Sequence, residues 1–192
     1  SENAKNSAVY IGNSTYKIKS DADKKWDAPT EIPNQIDYTR SFNNVQGNAF
    51  FSAKWFLNKN QDVTQLLAEN QYKFHAIPAA VPNFKKLVFD VPRVTSIVKN
   101  KTELVLSLQS TRHPVRYVIL YGTESNALID SDDPSHIIDK FYVQKNNNRL
   151  SIRIPLTAIE NKSNFALSYI DYYGNESKEI ITQLPKSVLK TN

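Results

Sequence analysis

The side chains best suited to chemistry in this sequence are two groups of aspartates. Residues 130–133 have the sequence Asp-Ser-Asp-Asp, and clustered carboxylates are the ligands that a hard cation such as calcium prefers. This group lacks the glycine and the bidentate glutamate that complete an EF-hand loop, so we expect no metal site there. The second group comprises Asp21, Asp23 and Asp27, beside Trp26. It is typical of a solvated charged loop, although one of its carboxyls could reach a neighbouring cleft.

The sequence lacks the other common catalytic and cofactor-binding patterns. His75, His113 and His136 are scattered, with no carboxylate or second histidine at ligand spacing, which disfavours a zinc site or a catalytic triad. No cysteine is present, which excludes a disulfide framework, a thiolate metal site and a cysteine nucleophile. The four glycines are too dispersed for a phosphate-binding loop. We therefore expect neither a metal nor a cofactor.

The charge pattern does not favour nucleic acid as a partner. The formal net charge is +5, but Lys and Arg are spread along the chain, with no run longer than Lys24-Lys25 or Lys85-Lys86. No apolar run approaches the roughly 20 residues that span a bilayer, and residues 1–7 are polar, unlike a signal peptide. The 192 residues include no methionine. We therefore expect a piece of a longer polypeptide.

The first half of the chain alternates between strand-like and helix-like segments. Strands are predicted at residues 8–11 and 45–53, and helices at 30–40 and 62–72. Thr30 is the predicted N-cap of the first helix, with Pro33 in its first turn. Such alternation favours parallel β/α units. Because two units cannot bury both faces of a parallel sheet, they are expected to belong to a larger barrel or doubly wound sheet.

After residues 78–82 the hydrophobic period changes to two, which predicts half-solvated antiparallel strands and a β-sandwich. The fold class is thus expected to be α+β, with domains at 1–80 and 81–192. The remaining predicted elements are listed by position: strands at 104–109, 115–121, 150–155, 165–169 and 178–184, a helical turn within 133–138, a turn at 146–148 and a hairpin loop at 173–176.

The order of several segments resembles one family of enzymes. Residues 8–17, with Trp26, 31–36 and Arg40, resemble the end of the catalytic region of family-10-like glycosyl hydrolases. The similarity continues through the following segments: residues 47–54 with Asn58 and Leu66-Leu67, which are similar to the final strand and helix of that region, and residues 117–121 and 171–177, which are similar to a fibronectin type III-like domain placed after it.

The resemblance implies an arrangement and a function for both halves. Residues 1–80 would be the seventh and eighth units of a (β/α)8 barrel completed by an upstream part of the same polypeptide. The parent would be exported to the periplasm, secreted or lipid-anchored at the cell surface, and would act on a polysaccharide. The sandwich departs from the family pattern at its second strand, where Leu106 and Leu108 replace a tryptophan that is often present.

In a barrel, the working residues follow the carboxyl ends of the strands. The resemblance therefore implies a sugar cleft lined by Tyr16, Lys17, Trp26, Ser52, Lys54 and Trp55. Among these, Tyr16, Ser52 and Lys54 would form hydrogen bonds, and Trp55 or Trp26 would stack on a sugar ring. The alternative is that both tryptophans are packing residues under a loop.

Glycoside hydrolysis generally needs two carboxyls roughly 5–10 Å apart, and neither strand end carries one. The catalytic residues are thus expected upstream, and this chain is expected to be inactive alone. The alternative is a non-catalytic carbohydrate-binding or protein-interaction module. It would use Tyr172 and Tyr173 at the hairpin, or Tyr117 and Tyr121 on a sheet face. Strict alternation places the latter two on the same face as Val115 and Ile119, which favours core packing for them.

Overall fold

The structure is a computed structural model that describes residues 8–57, 60–81, 90–124, 127–143 and 150–182. It divides into two compact units, which are Ser1–Lys73 with Val81–Asn83, and Phe74–Ala80 with Phe84–Asn192. Helices, one parallel strand pair and antiparallel sheets are all present, so the fold is mixed α+β, as predicted. The turn predicted at 146–148 and the end of the strand predicted at 178–184 lie outside the described residues.

In its described part, the first unit contains a parallel strand pair and three helices. Strand β1 pairs with β2 in parallel, from Val9 opposite Val45 to Asn13 opposite Phe50. The elements of this unit are β1 (Val9–Asn13), α1 (Glu31–Arg40), β2 (Val45–Phe50), α2 (Lys54–Leu57) and α3 (Gln61–Glu69), with 3-10 turns at Thr15–Lys17 and Lys24–Asp27. The predicted strand–helix–strand–helix order is therefore present, while α2 and both 3-10 turns were not predicted.

The core of the first unit explains where its helices form. Ile32 and Ile36 are one turn apart on α1 and are fully buried, with Ile18, against Val63 and Leu67 of α3. The apolar residues whose spacing predicted each helix are thus the residues that are buried in this core.

The predicted cap of α1 is wrong in one respect. Thr30 occupies the N-cap position, but its backbone is helical and its side chain forms no capping hydrogen bond. Its carbonyl accepts a 2.9 Å hydrogen bond from the backbone N–H of Asn34. Pro33 lies in the first turn, as predicted, where its missing N–H costs nothing.

Within the described ranges, the second unit contains seven strands in two antiparallel sheets. One sheet has the order β3-β4-β7, and the other has the order β6-β5-β8-β9. The strands are β3 (Val94–Lys99), β4 (Glu103–Leu108), β5 (Val115–Thr123), β6 (Ile137–Tyr142), β7 (Leu150–Pro155), β8 (Asn164–Asp171) and β9 (Ile180–Thr182), and a short helix, α4 (Leu156–Ile159), follows β7. A 3-10 turn at Pro134–His136 confirms the predicted helical turn.

A shared apolar core lies between the two sheets. Leu104, Leu106 and Leu108 alternate along β4 and point into this core, where they meet side chains of the four-stranded sheet. Those side chains include Val118, Leu120, Phe165, Leu167 and Tyr169. The two sheets therefore pack face to face as a β-sandwich, with leucines in place of a buried tryptophan on β4.

The outer face of the four-stranded sheet carries a second, smaller apolar cluster. The register of β5 shifts between Val115 and Tyr117, so Val115 joins the core between the sheets while Tyr117 and Tyr121 lie in the outer cluster. The prediction that these tyrosines share a face with Val115 is therefore wrong, because the bulge inverts the alternation. Their shared face with Ile119 is confirmed, and so is the packing of Tyr121, which is fully buried. Ile77 packs against the same cluster, so the segment Phe74–Ala80 covers part of this face.

In the part of the chain that the structure describes, no helix has both the length and the apolar character needed to cross a membrane.

Candidate functional site

The carboxyl ends of β1 and β2 lie side by side, because the two strands run in the same direction. The loops that follow them are joined by hydrogen bonds: Phe51 N–H donates to the Asn13 carbonyl at 2.9 Å, and Tyr16 N–H donates to the Phe51 carbonyl at 3.2 Å. The hydroxyl of Thr15, which is fully buried, donates to the Ser52 carbonyl at 3.1 Å. These contacts hold Tyr16 and Ser52 at one edge of the parallel pair.

An exposed aromatic pair lies at this edge. The rings of Tyr16 and Phe51 meet edge to face, with centroids 6.4 Å apart. Tyr16 is 43% exposed and Phe51 is 73% exposed. Sequence reasoning missed Phe51, because β2 was predicted to continue to residue 53, whereas it ends at Phe50 and a turn presents the next ring to solvent.

Lys17 and Trp26 form a separate cluster with Asp21. The Lys17 ammonium lies 3.1 Å from the Asp21 carboxylate and 5.3 Å from the centroid of the Trp26 ring. Trp26 is half-buried and packs against the core of the first unit. Two of the predicted cleft residues are thus brought together, and each has a structural contact within the unit.

The carboxylate of Asp21 is held in its ionised form. A hydrogen bond from the backbone N–H of Asp23, and then the hydrogen bond from Lys17, lower the pKa of Asp21 below its ordinary value. The same contact raises the pKa of Lys17. A glycosidase general acid needs a raised pKa. The environment of Asp21 is therefore the opposite of what that role requires.

Lys54 and Trp55 begin the short helix α2, directly after the turn that carries Ser52. The Lys54 ammonium lies 6.0 Å from the centroid of the Trp55 ring. The Trp55 carbonyl accepts a 2.9 Å hydrogen bond from the side chain of Asn60, which is itself buried. Trp55 is half-buried and Lys54 is exposed, so this segment presents a cation beside an aromatic ring.

A network of amides beneath the strand ends was also missed by sequence reasoning. Asn13 is only 2% exposed, and its side chain donates to Gln35 at 3.2 Å and accepts from Asn48 at 2.9 Å. The network continues from Asn48 to Thr39 and from Gln35 to Glu31. It joins β1, β2 and α1, and it therefore positions the strand ends relative to the helix.

The aspartates of residues 130–133 serve local turns. Hydrogen bonds from the side chain of Ser135 and then from its backbone N–H, the latter at 2.8 Å, lower the pKa of Asp133. Asp130 accepts from the backbone N–H of Asp132 at 3.0 Å. Within the described ranges, no three His, Cys, Asp or Glu side chains are grouped so that they could hold a metal ion.

Comparison with known proteins relates part of this chain to a glycosyl hydrolase. No protein-family model matches the chain. The chain is 28% identical over 137 residues to "Glycosyl hydrolase YngK" of Bacillus subtilis (strain 168), in a match that covers 67% of this chain and 27% of that protein. The chain thus spans about a quarter of the length of the curated relative it matches. The sequence is therefore related to that of a glycosyl hydrolase, without support for a placement in family 10.

Proposed function

We propose that this chain is the C-terminal part of a glycoside hydrolase that acts on polysaccharide. The observation that carries the proposal is the edge of the β1–β2 pair, where exposed aromatic and polar side chains converge in a chain related to a glycosyl hydrolase. In this proposal, residues 1–80 are the last two units of a family-10-like (β/α)8 barrel. Residues 81–192 are an accessory domain of the fibronectin type III class.

The parallel pair supports the barrel proposal, because it is incomplete by itself. Among the described residues, β1 and β2 pair only with each other. Parallel sheets are normally covered on both faces, and a two-stranded sheet is marginal in water. Tyr10 of β1 is nevertheless exposed. An upstream part of the same polypeptide would supply the neighbouring strands and cover this face.

The strand ends support a role in sugar binding. The exposed rings of Tyr16 and Phe51 offer apolar surface on which the C–H groups of a sugar ring can stack. Ser52 lies in the adjoining turn, and Lys54 and Trp55 follow it, so hydrogen-bond donors lie close to this surface in the chain. Lys17 and Trp26 form the neighbouring cluster and complete the proposed set of binding residues.

The catalytic carboxyls belong, in this proposal, to the upstream part. Asp21 is ionised and paired with Lys17, which suits a structural carboxylate and not a general acid. The chain alone should therefore bind oligosaccharides without hydrolysing them. From the family resemblance, we further propose that the parent enzyme is periplasmic, secreted or anchored at the cell surface.

The test is a titration of the chain with cello-, xylo-, manno- and chito-oligosaccharides, followed by NMR and calorimetry. Tyr16→Ala and Phe51→Ala should each weaken binding by about tenfold, since both remove stacking surface. Tyr38→Ala is the matched control, because Tyr38 of α1 and Phe42, just after that helix, form a second exposed edge-to-face pair, with ring centroids 5.2 Å apart.

Two results would overturn the proposal. One is equal weakening by all three variants, which would show that exposed rings bind sugars regardless of their place in the fold. The other is hydrolysis by the purified chain that is lost in Ser52→Ala or Lys54→Ala, because this would place the catalytic machinery within these residues.

A further inference from the structure

The outer face of the four-stranded sheet carries a stripe of aromatic and cationic side chains in the second unit. We call it the tyrosine–arginine stripe; its residues are Arg116, Tyr117, Lys140, Tyr142 and Tyr172. Tyr117 of β5 lies directly opposite Tyr142 of β6, and their rings meet with centroids 5.8 Å apart. The stripe lies wholly within one compact unit.

Two cations are held against the rings of the stripe. The Arg116 guanidinium lies 5.3 Å from the ring centroid of Tyr117 and 5.9 Å from that of Tyr172, so it bridges two tyrosines. The Lys140 ammonium lies 5.3 Å from the Tyr117 ring and donates to the Ala76 carbonyl at 2.9 Å. These contacts restrict both cations before any ligand arrives.

The tyrosines of the stripe remain accessible to a ligand. Tyr142 is 59% exposed and Tyr172 is 43% exposed, while Tyr117 is half-buried and packs against the outer apolar cluster. Tyr117 therefore anchors the stripe, and the two outer rings offer surface on either side of it. Two solvent-facing tyrosines on either side of a half-buried one, with cations held against the rings, are more than the scattered exposed side chains of an ordinary surface.

Neither cation of the stripe, Arg116 or Lys140, forms an ion pair with a carboxylate among the described residues, and the carboxylates nearby accept hydrogen bonds from other groups. Glu176, on the same sheet face, accepts hydrogen bonds from the hydroxyls of Tyr121 and Ser168. Asp171, beside Tyr172 in sequence, is buried and accepts from backbone and side-chain N–H groups of its own hairpin. Asp139 accepts from the backbone N–H of the following residue. The guanidinium of Arg116 and the ammonium of Lys140 are therefore available to an anionic ligand.

We propose that the tyrosine–arginine stripe binds an acidic polysaccharide, a chain whose sugar rings carry carboxylate groups. The sugar rings stack on Tyr142 and Tyr172, and the guanidinium of Arg116 forms a bidentate pair with a carboxylate. Lys140 adds a second positive charge beside the chain. This inference concerns the second unit and does not rest on the proposed function, which concerns the strand ends of the first.

The test is a titration of the full chain with an oligogalacturonate, followed by calorimetry and NMR, with a neutral oligogalactoside as the comparison ligand. Arg116→Gln should weaken oligogalacturonate binding by about tenfold or more. Arg116→Lys should recover part of the lost affinity, because lysine restores the positive charge but not the two parallel hydrogen bonds of the guanidinium. Tyr142→Ala should also weaken binding. A higher salt concentration should weaken the binding of oligogalacturonate to the unsubstituted chain, because salt screens ion pairs.

The matched control is Arg153→Gln, which removes an exposed arginine from β7, in the other sheet, where it pairs with Glu103. It should leave the affinity within about twofold of the parent value. Equal weakening by Arg153→Gln and Arg116→Gln would overturn the proposal, because net charge alone would then explain binding. Absence of binding to oligogalacturonate, or equal binding of the neutral ligand, would overturn it as well. So would a self-associated chain that Tyr142→Ala makes monomeric, since a second copy would then occupy the stripe.

Discussion

The amide of Asn13 should stabilise the first unit measurably, and its removal is the sharpest test of the network beneath the strand ends. In Asn13→Ala, the side-chain carbonyl of Gln35 loses the donor that lies 3.2 Å away. Asn48 loses its 2.9 Å acceptor but keeps a second one, the Thr39 hydroxyl, at 3.2 Å. A typical intramolecular hydrogen bond contributes about 0.5–1.5 kcal/mol to stability. Since Gln35 is half-buried and water can replace part of the lost donor, we expect the free energy of unfolding to fall by about 1 kcal/mol.

The assay can be restricted to the first unit by fluorescence. The chain has two tryptophans, Trp26 and Trp55, and both belong to the first unit. Their emission during urea unfolding therefore reports on that unit separately, which matters because two units need not unfold together. Asn34→Ala, which removes an exposed amide from α1, is the control and should change stability by less than about 0.5 kcal/mol. Equal effects of the two substitutions would refute the reasoning.

Three further predictions concern the second unit. Leu106→Ala should destabilise it by about 2–5 kcal/mol in circular-dichroism unfolding, because a fully buried leucine is truncated, while tryptophan emission stays unchanged. Gly174→Ala should also lower the circular-dichroism midpoint, because Gly174 has φ +77° and an added Cβ would lie 2.5 Å from the Ala79 carbonyl oxygen. Gly12→Ala is the control. An added Cβ there has nothing within 4 Å, so the unfolding midpoint of the first unit should not change. Burial raises the pKa of Tyr169 to about 12, so the folded state retains this proton when the unfolded state loses it, and stability should fall as pH rises above about 10. Tyr169→Phe should make that decline shallower, and an unchanged slope would contradict the assignment.

Sequence patterns predicted the elements whose burial is periodic. Ile32 and Ile36 predicted one face of α1, and Leu104, Leu106 and Leu108 predicted β4, because each set is buried at the period of its own element. The strands β3 and β6 were missed because their burial does not alternate along the strand. β3 is largely exposed, and almost every residue of β6 is half-buried, so neither has an alternating pattern.

Only part of the candidate site could be predicted from the sequence. Its geometry depends on turns and on side-chain hydrogen bonds that leave no regular spacing in the sequence. The strand-end position of Tyr16 and Ser52 followed from the order of elements. Phe51 could not be distinguished from a strand residue, because the turn after Phe50 decides its exposure. The Asn13 network joins side chains 22 and 35 positions apart, which no local pattern relates.

The measurement that tests the central proposal most directly is the mass and activity of the native protein. An antibody against residues 90–182 would be used to isolate it, and its intact mass and its release of reducing sugar from polysaccharides would be measured. Our account predicts a polypeptide well above the 21.9 kDa of this chain, with hydrolytic activity that Phe51→Ala weakens. A native polypeptide of 21.9 kDa that leaves every polysaccharide uncleaved would contradict it.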